Sequence, residues 1–275
     1  MLIYAHRAGR GLAPENTLYA CQKVLRLGVD FIDFDVGMTK DGHLVATHDM
    51  TLNCDLTRNA EGQFITDPLP IYSLTYAELS SFNVGQINPH SKYTTYFPEQ
   101  EQLAIAKIPL LREVIEWVLT HESSSTGFQF EIKTDPRKPQ CTATPYTFAQ
   151  TLSRLIQEFN IADRCEVQSF DYRSLFFLQT LYPAIKTTYL TRPKFRMGSF
   201  LKRIKALGGC CWGPFQMDVE EWHIKEAKNL GIKCVPWGYP EKEGCEFNTM
   251  QITKLISWGV DGIITDRPDL LKNLP

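Results

Sequence analysis

Short apolar runs recur along the chain and alternate with segments in which apolar residues return every three or four positions. The runs at 2–5, 31–36, 128–132, 165–168, 186–190, 208–212, 233–237 and 262–265 read as eight strands. Helical periodicity fills 16–27, 110–120, 146–159, 172–182, 219–230 and 250–258. Leu27-Gly28, Leu230-Gly231 and Trp258-Gly259 each put a glycine where a helix ends in a left-handed residue, just ahead of a strand. Strands alternating with helices predict a parallel sheet, and eight of them predict closure into a TIM (β/α)8 barrel. The alternative is an open doubly wound sheet. It calls for a glycine-rich phosphate turn after the first strand, and Gly9-Arg10-Gly11 lacks the rest of that pattern.

One stretch breaks the rhythm. Between His48-Asp49 and Pro109-Leu110 the sequence is rich in Thr, Asn and Tyr and shows no long periodic element. A connection of that length is uncommon unless it has a task. Because it follows the second strand, it is predicted to leave the catalytic face of one 1–275 barrel domain as an insertion over 50–107, either decorative or a lid or substrate wall. It carries none of the acid–base or metal candidates, so it is expected to set substrate choice more than the rate of chemistry.

The length of 275 residues suits a single barrel, and 43% hydrophobic residues supply a large core. Lys+Arg 29 against Asp+Glu 31 leaves a formal charge of -2, which provides no basic field for nucleic acid. No apolar run is long enough to span a bilayer, and His6-Arg7 comes too early for a signal-peptide core. The expectation is a soluble, cytoplasmic chain. The eight cysteines, at 21, 54, 141, 165, 210, 211, 234 and 245, form no C-x-x-C pair and no zinc spacing, and are expected to be buried thiols.

Polar groups at strand ends are the candidates for chemistry. The first strand ends in His6-Arg7. The second carries Asp33 and Asp35, followed by a turn at Lys40-Asp41-Gly42 and a return run ending in His48-Asp49; the third carries Glu131 and Lys133. Period-two alternation puts Asp33 and Asp35 on one face, and Glu131 and Lys133 likewise. Facing the helices they would be charges buried in an apolar layer, whereas facing the barrel they can surround a cation. Asp33, Asp35 and Glu131 suit one hard divalent cation, Mg²⁺ or Ca²⁺. His6 and His48 suit acid–base work, and Arg7 and Lys133 suit a phosphate. Together these groups describe phosphodiester cleavage.

His6-Arg7, Pro14-Glu15-Asn16-Thr17, Asp33-Phe34-Asp35-Val36, Thr39-Lys40-Asp41-Gly42 and His48-Asp49 resemble the N-terminal signature of the glycerophosphodiester phosphodiesterases. The likeness continues through Phe130-Glu131-Ile132-Lys133, Gln168-Ser169-Phe170, Val235-Pro236-Trp237 and the segment 259–268. The resemblance implies a TIM barrel with a small insertion after the second strand. It implies catalytic His6 and His48, metal ligands Asp33, Asp35 and Glu131, phosphate contacts from Arg7 and Lys133, and Trp237 lining the pocket. Two positions depart from the family pattern: Asp33 stands where Glu is usual, which shortens one ligand, and Ala8 where Gly is usual. Among the flanking residues, Asn16 or Thr17 is expected to cap the first helix, Glu15 to brace Arg7 or the loop, Asp261 to serve a turn, and Asp266 to cap the last helix.

The implied reaction is hydrolysis of a glycerophosphodiester to sn-glycerol-3-phosphate and an alcohol, through a cyclic phosphate. Its partner is a small-molecule substrate rather than nucleic acid. Two other readings keep the barrel. One is a lysophospholipase D-like or phosphoinositide-type phosphodiesterase with an apolar mouth from Tyr93, Tyr96 and Phe97. The other is a non-catalytic barrel that binds glycerophosphodiesters.

Overall fold

The structure, a computed structural model, describes residues 1–121, 126–239 and 247–272. The β-prone runs form β1 (Leu2–Ala5), β2 (Phe31–Met38), β3 (Leu44–Ala46), β4 (Gly127–Ile132), β5 (Cys165–Ser169), β6 (Lys186–Leu190), β7 (Cys211–Gly213), β8 (Lys233–Cys234) and β9 (Gly262–Thr265). Eight of them are parallel and follow the order β1-β2-β4-β5-β6-β7-β8, with β9 on the other side of β1. Beyond β8, Trp237 makes a parallel bridge to Ile264, and Ile264 N donates to the Pro236 carbonyl at 3.0 Å. That contact closes the ring, so the chain is a TIM (β/α)8 barrel.

The strand outside the ring, β3, explains how His48 reaches the mouth. β3 runs back antiparallel along β2, with Val36 opposite Ala46, after a turn in which Gly42 takes φ 83. The remaining elements are α1 (Leu18–Leu27), α2 (Tyr76–Leu79), α3 (Tyr93–Tyr96), α4 (Leu111–His121), α5 (Pro145–Glu158), α6 (Tyr172–Leu181), α7 (Phe200–Ala206), α8 (Glu221–Asn229), α9 (Thr249–Trp258) and α10 (Pro268–Lys272). Periodicity did not announce α7. It is one to two turns long and buries only Leu201 and Ile204 among basic residues, too little for a repeating apolar stripe. Gly208, in left-handed backbone two residues past its end, leads into a β7 that starts later than the apolar run at 208–212 suggests.

Alternation along β2 divides the strand cleanly. Ile32, Phe34 and Val36 enter the core between sheet and helices, with Phe128, Phe130, Leu152 and Val167, all fully or almost fully buried. Asp33 and Asp35 take the opposite face. The barrel interior is correspondingly polar. Near its base Tyr4 Oη donates to Glu166 at 3.2 Å, and Lys233 Nζ lies 3.3 Å from the same carboxylate. Burial and the Glu166 charge push the Tyr4 phenol far up.

The segment between β3 and α4 has its own apolar centres: Leu52, Ile71, Leu79 and Ile108 gather around Val45 of β3, and Leu56, Ile87, Tyr93 and Phe97 form a second group. Cys21, Cys141, Cys165, Cys211 and Cys234 are buried free thiols, and Cys54 and Cys210 are half-buried free thiols. Cys245 lies outside the described residues. Among the described residues, no helix is long and apolar enough to cross a membrane.

Candidate active site at the C-terminal mouth of the barrel

The chain leaves β1 through a tight turn at His6, Arg7 and Ala8, all buried. Arg7 and Ala8 both take left-handed backbone, at φ 50 and φ 59, and Gly9 follows at φ 82. A β-carbon at Ala8 in that region costs roughly 1–2 kcal/mol that a glycine would avoid. The turn is held by its own hydrogen bonds, Gly9 N and Arg10 N both donating to the His6 carbonyl.

Ring closure supplies the partner for His6. Ala5 pairs with Thr265, so the residues just beyond, His6 and Asp266, stand side by side. His6 Nδ1 lies 2.6 Å from Asp266 Oδ1, and Arg10 Nε donates to the same oxygen at 2.7 Å. Asp266 was expected to cap the last helix; the structure instead places it on the imidazole. Burial alone would raise the Asp266 carboxyl, but Arg10 and His6 together hold it well below the usual carboxylate range. Burial lowers the His6 pKa from 6.5, outweighing the opposing pull of Asp266.

Register also gathers the carboxylates. Asp35 lies opposite Glu131 across β2 and β4, and Glu131 opposite Gln168 across β4 and β5. Lys133 Nζ sits between two of these acids, 2.8 Å from Asp35 Oδ1 and 2.5 Å from Glu131 Oε1. Asp35 also receives Asn16 Nδ2 at 2.9 Å, with Arg7 Nε at 3.5 Å. Despite burial, Lys133, His48 and Arg7 hold Asp35 well below its ordinary value. Asp33 is drawn sideways instead, accepting from Gln168 Nε2 at 2.9 Å. Burial raises its pKa strongly, and the charges of Asp35 and Glu131 add to the rise. The trio is therefore not a ready ligand cage, and among the described residues no three acidic, His or Cys side chains form one. Its oxygen donors nonetheless suit a hard cation, since two of them already converge on the Lys133 ammonium.

Arg7 is braced as expected: Nη1 donates to both Glu15 oxygens, at 3.0 and 3.2 Å. Thr17 rather than Asn16 caps α1, accepting from Ala20 N, which frees Asn16 for Asp35. Asp261 accepts from Cys234 N at 2.8 Å and so ties β8 to the turn before β9. Tyr93, from the segment between β3 and α4, donates to Glu15 and accepts from Arg10 at 3.2 Å. His48 Nδ1 lies 2.8 Å from Asp49, whose second oxygen accepts from Asn53 Nδ2 at 2.9 Å.

His6, Arg7, Asp33, His48, Glu131 and Lys133, from the β1, β2 and β4 arc of the ring, line one side of a cleft of about 280 Å³, and Asp35 is buried against Lys133. Trp237, Phe170, Tyr239 and Arg192 line the other side. The Trp237 indole N–H is buried with no acceptor among the described residues. Sequence reasoning missed the contacts made by Asp266, Arg10, Gln168 and Tyr93, and the place of Arg192 in the cleft lining. Two signals were present: Asp266 directly follows the last strand, which in a closed ring must neighbour the first, and Gln168 shares the inward parity of β5.

Paired imidazoles, carboxylates and fixed cations at the C-terminal mouth define a TIM-barrel hydrolase in the manner of enzymes that act on phosphate esters. The family model described as "Glycerophosphoryl diester phosphodiesterase family" matches residues 6–270, and the chain belongs to that family. A glycerophosphodiester phosphodiesterase from Caldanaerobacter subterraneus subsp. tengcongensis is 31% identical over 275 residues, covering 99% of this chain and 97% of the relative. The solved structure of a Silicibacter pomeroyi DSS-3 protein superposes with a TM-score of 0.89 at 28% identity, over 98% of this chain and 91% of that one. An Oleispira antarctica phosphodiesterase, solved with the product sn-glycerol-3-phosphate, reaches a TM-score of 0.76 at 20% identity, over 99% of this chain and 95% of its own, and shares the fold.

Proposed function

We propose that this chain hydrolyses glycerophosphodiesters to sn-glycerol-3-phosphate and an alcohol, with His6 and His48 as the acid–base pair. The observation that carries the reading is the pairing of both rings. Each imidazole has Nδ1 on a carboxylate, at 2.6 and 2.8 Å, and both line the cleft that also holds Arg7 and Lys133. A carboxylate at Nδ1 fixes the tautomer and leaves Nε2 as the exchangeable position. One histidine takes the proton of the glycerol 2-hydroxyl as that oxygen attacks phosphorus, and the other protonates the departing alcohol oxygen. Water then opens the cyclic phosphate with the two roles reversed. Arg7 and Lys133 hold the phosphate oxygens, with Trp237 on the facing wall.

Asp35 and Glu131, joined by Asp33 if it turns from Gln168, would hold one Mg²⁺ or Ca²⁺. Such a cation supplies positive charge against the phosphate oxygens. The 50–107 insertion is read as standing at the catalytic face and bracing Arg7 and Arg10 there through Tyr93, Phe97 and Gln100, and the chain as a cytoplasmic enzyme. Release of glycerol-3-phosphate from several glycerophosphodiesters, screened over Mg²⁺, Ca²⁺ and excess chelator, tests the proposal. Activity that disappears with chelator, returns with one cation and is lost in Asp35→Ala and Glu131→Ala is the expected result. Full activity in chelator with no bound metal would remove the cation. Tight binding of intact glycerophosphodiesters with no product on any metal would remove the catalytic reading.

A further inference from the structure

The two sides of the cleft differ in a way that bears on the alcohol half of the substrate. Around the ring, β6 lies four strands from β1, so Arg192, two residues past the end of β6, stands opposite His6 and Arg7. The cations on the near side are already engaged: Arg7 with Glu15 and Asp35, Lys133 with Asp35 and Glu131. Arg192 has no carboxylate within ion-pair distance among the described residues. The acid whose field it shares, Asp135, is held by Arg137 at 2.7 Å. Its guanidinium is nevertheless placed, lying 4.7 Å from the centre of the Phe170 ring. Phe170 in turn meets Trp237 edge-on at 5.6 Å.

This wall therefore offers a fixed cation without an anion and, beside it, the unsatisfied Trp237 N–H. Both demand acceptor oxygens. The wall is aromatic, which could suit a quaternary ammonium, but Arg192 already lies over the Phe170 ring, beside Trp237 and Tyr239 in the same lining. A trimethylammonium group would meet a like charge there.

We propose that Arg192 is a specificity residue that receives an anionic group, phosphate or carboxylate, on the alcohol half of the substrate. The chain then prefers glycerophosphodiesters with an acidic head group over those with a cationic one. The inference rests on the phosphodiesterase reading and deepens it.

Three substrates isolate the charge: glycerophosphocholine, glycerophosphoglycerol, and bis(glycerophospho)glycerol, which extends the second by one more phosphodiester. The wild type is expected to show the highest kcat/KM on the last. Arg192→Gln is expected to lose about 10-fold on that substrate alone, through KM, as suits one charge-assisted hydrogen bond at a solvent-facing site. Glycerophosphoglycerol should stay within a factor of about three, glycerophosphocholine should hold or improve, and Arg192→Lys should keep part of the preference. Equal losses on all three would place Arg192 on the scissile phosphate and overturn the proposal, as would no loss on any. If the wild type turned over none of them, the phosphodiesterase reading would fail by itself. Calorimetric binding of bis(glycerophospho)glycerol would still decide this one: weakened binding in Arg192→Gln supports the anion site, and unchanged binding ends it.

Discussion

Asp266 shows how much one side chain can decide at this mouth. It fixes the His6 tautomer and is kept ionised by Arg10, so Asp266→Asn leaves the ring in place but removes its orienting charge. A loss of about 10²–10⁴-fold in kcat is expected, the range for an acid–base group that no longer works. The pH profile separates this from mere damage. Asp266 opposes the burial that lowers His6, so removing its charge must lower that imidazole further, and the limb of the kcat/KM profile governed by His6 should move to more acid pH. An unmoved limb would mean that Asp266 only supports the turn. Stability follows the same signs. Neutral His6 contributes stability that is lost as pH falls below about 6.5. Asp266 contributes stability present above the ordinary carboxylate range and lost as pH falls through its depressed value. Melting temperature should therefore fall on acidification, and the loss at the lowest pH should be smaller in Asp266→Asn. Asp33 offers a second test at this scale, because its short side chain reaches Gln168 rather than the pair on Lys133. Asp33→Glu is expected to tighten cation binding about tenfold by calorimetry, a size typical of changes around a metal site. Equal or weaker affinity would mean that the Gln168 contact has been built around Asp.

Among the elements, the segment between β3 and α4 acts on the site through its contacts with the turn after β1. Its Tyr93 grips Glu15, which grips Arg7, while Phe97 lies 4.7 Å under the Arg10 guanidinium and Gln100 Nε2 donates to the Arg10 carbonyl at 2.6 Å. The turn that carries His6 and Arg7 is thus supported from outside the barrel. Tyr93→Phe deletes one buried hydroxyl between an acid and a cation and should cost about 1 kcal/mol in urea unfolding. It should raise KM several-fold with little change in kcat, since phosphate contact rather than proton transfer loosens. A fall in kcat at constant KM would contradict that chain of contacts. Replacing 53–102 with a short linker is correspondingly expected to affect turnover as well as head-group choice, because it strips the supports of Arg7 and Arg10. Such dependence was not legible in the sequence. Strand parity correctly put Asp33, Asp35, Glu131 and Lys133 on the inner face, because side chains alternate whatever the tertiary context. Tyr93 to Glu15 and Asp266 to His6 span 78 and 260 positions, and only the path of the chain brings such groups together. The helix α7 was hidden for the opposite reason, being too short and too basic to leave a periodic trace.

At the scale of the whole barrel, strand order distributes the chemistry. β9, β1, β2 with its β3 return, and β4 carry the carboxylates, both imidazoles, Arg7 and Lys133, while β5, β6 and the end of β8 carry Phe170, Arg192 and Trp237. The eight-strand rhythm and closure were readable, because each strand shows its own apolar run, yet this two-sided mouth appears only when the ring is closed. It also bears on which histidine does what. The His6 side chain is 11% exposed, and its depressed pKa keeps the imidazole neutral, the form a base needs. His48 is 31% exposed, beside an Asp49 held below the usual carboxylate range and, among the described residues, not shared with an arginine in direct contact. The expected division is therefore His6 as base toward the glycerol 2-hydroxyl and His48 as acid toward the leaving alcohol. A glycerophosphodiester with a nitrophenyl leaving group expels a stable phenolate and hardly needs the acid. His48→Ala should lose about 10²–10⁴-fold on glycerophosphoglycerol but recover most of that on the aryl substrate. His6→Ala should stay impaired on both, since the 2-hydroxyl still has to lose its proton. The reverse pattern would exchange the two roles. Equal losses for both variants on both substrates, with the cation still bound, would leave neither histidine as the acid, and both would then act by holding charge near the phosphate rather than by moving a proton.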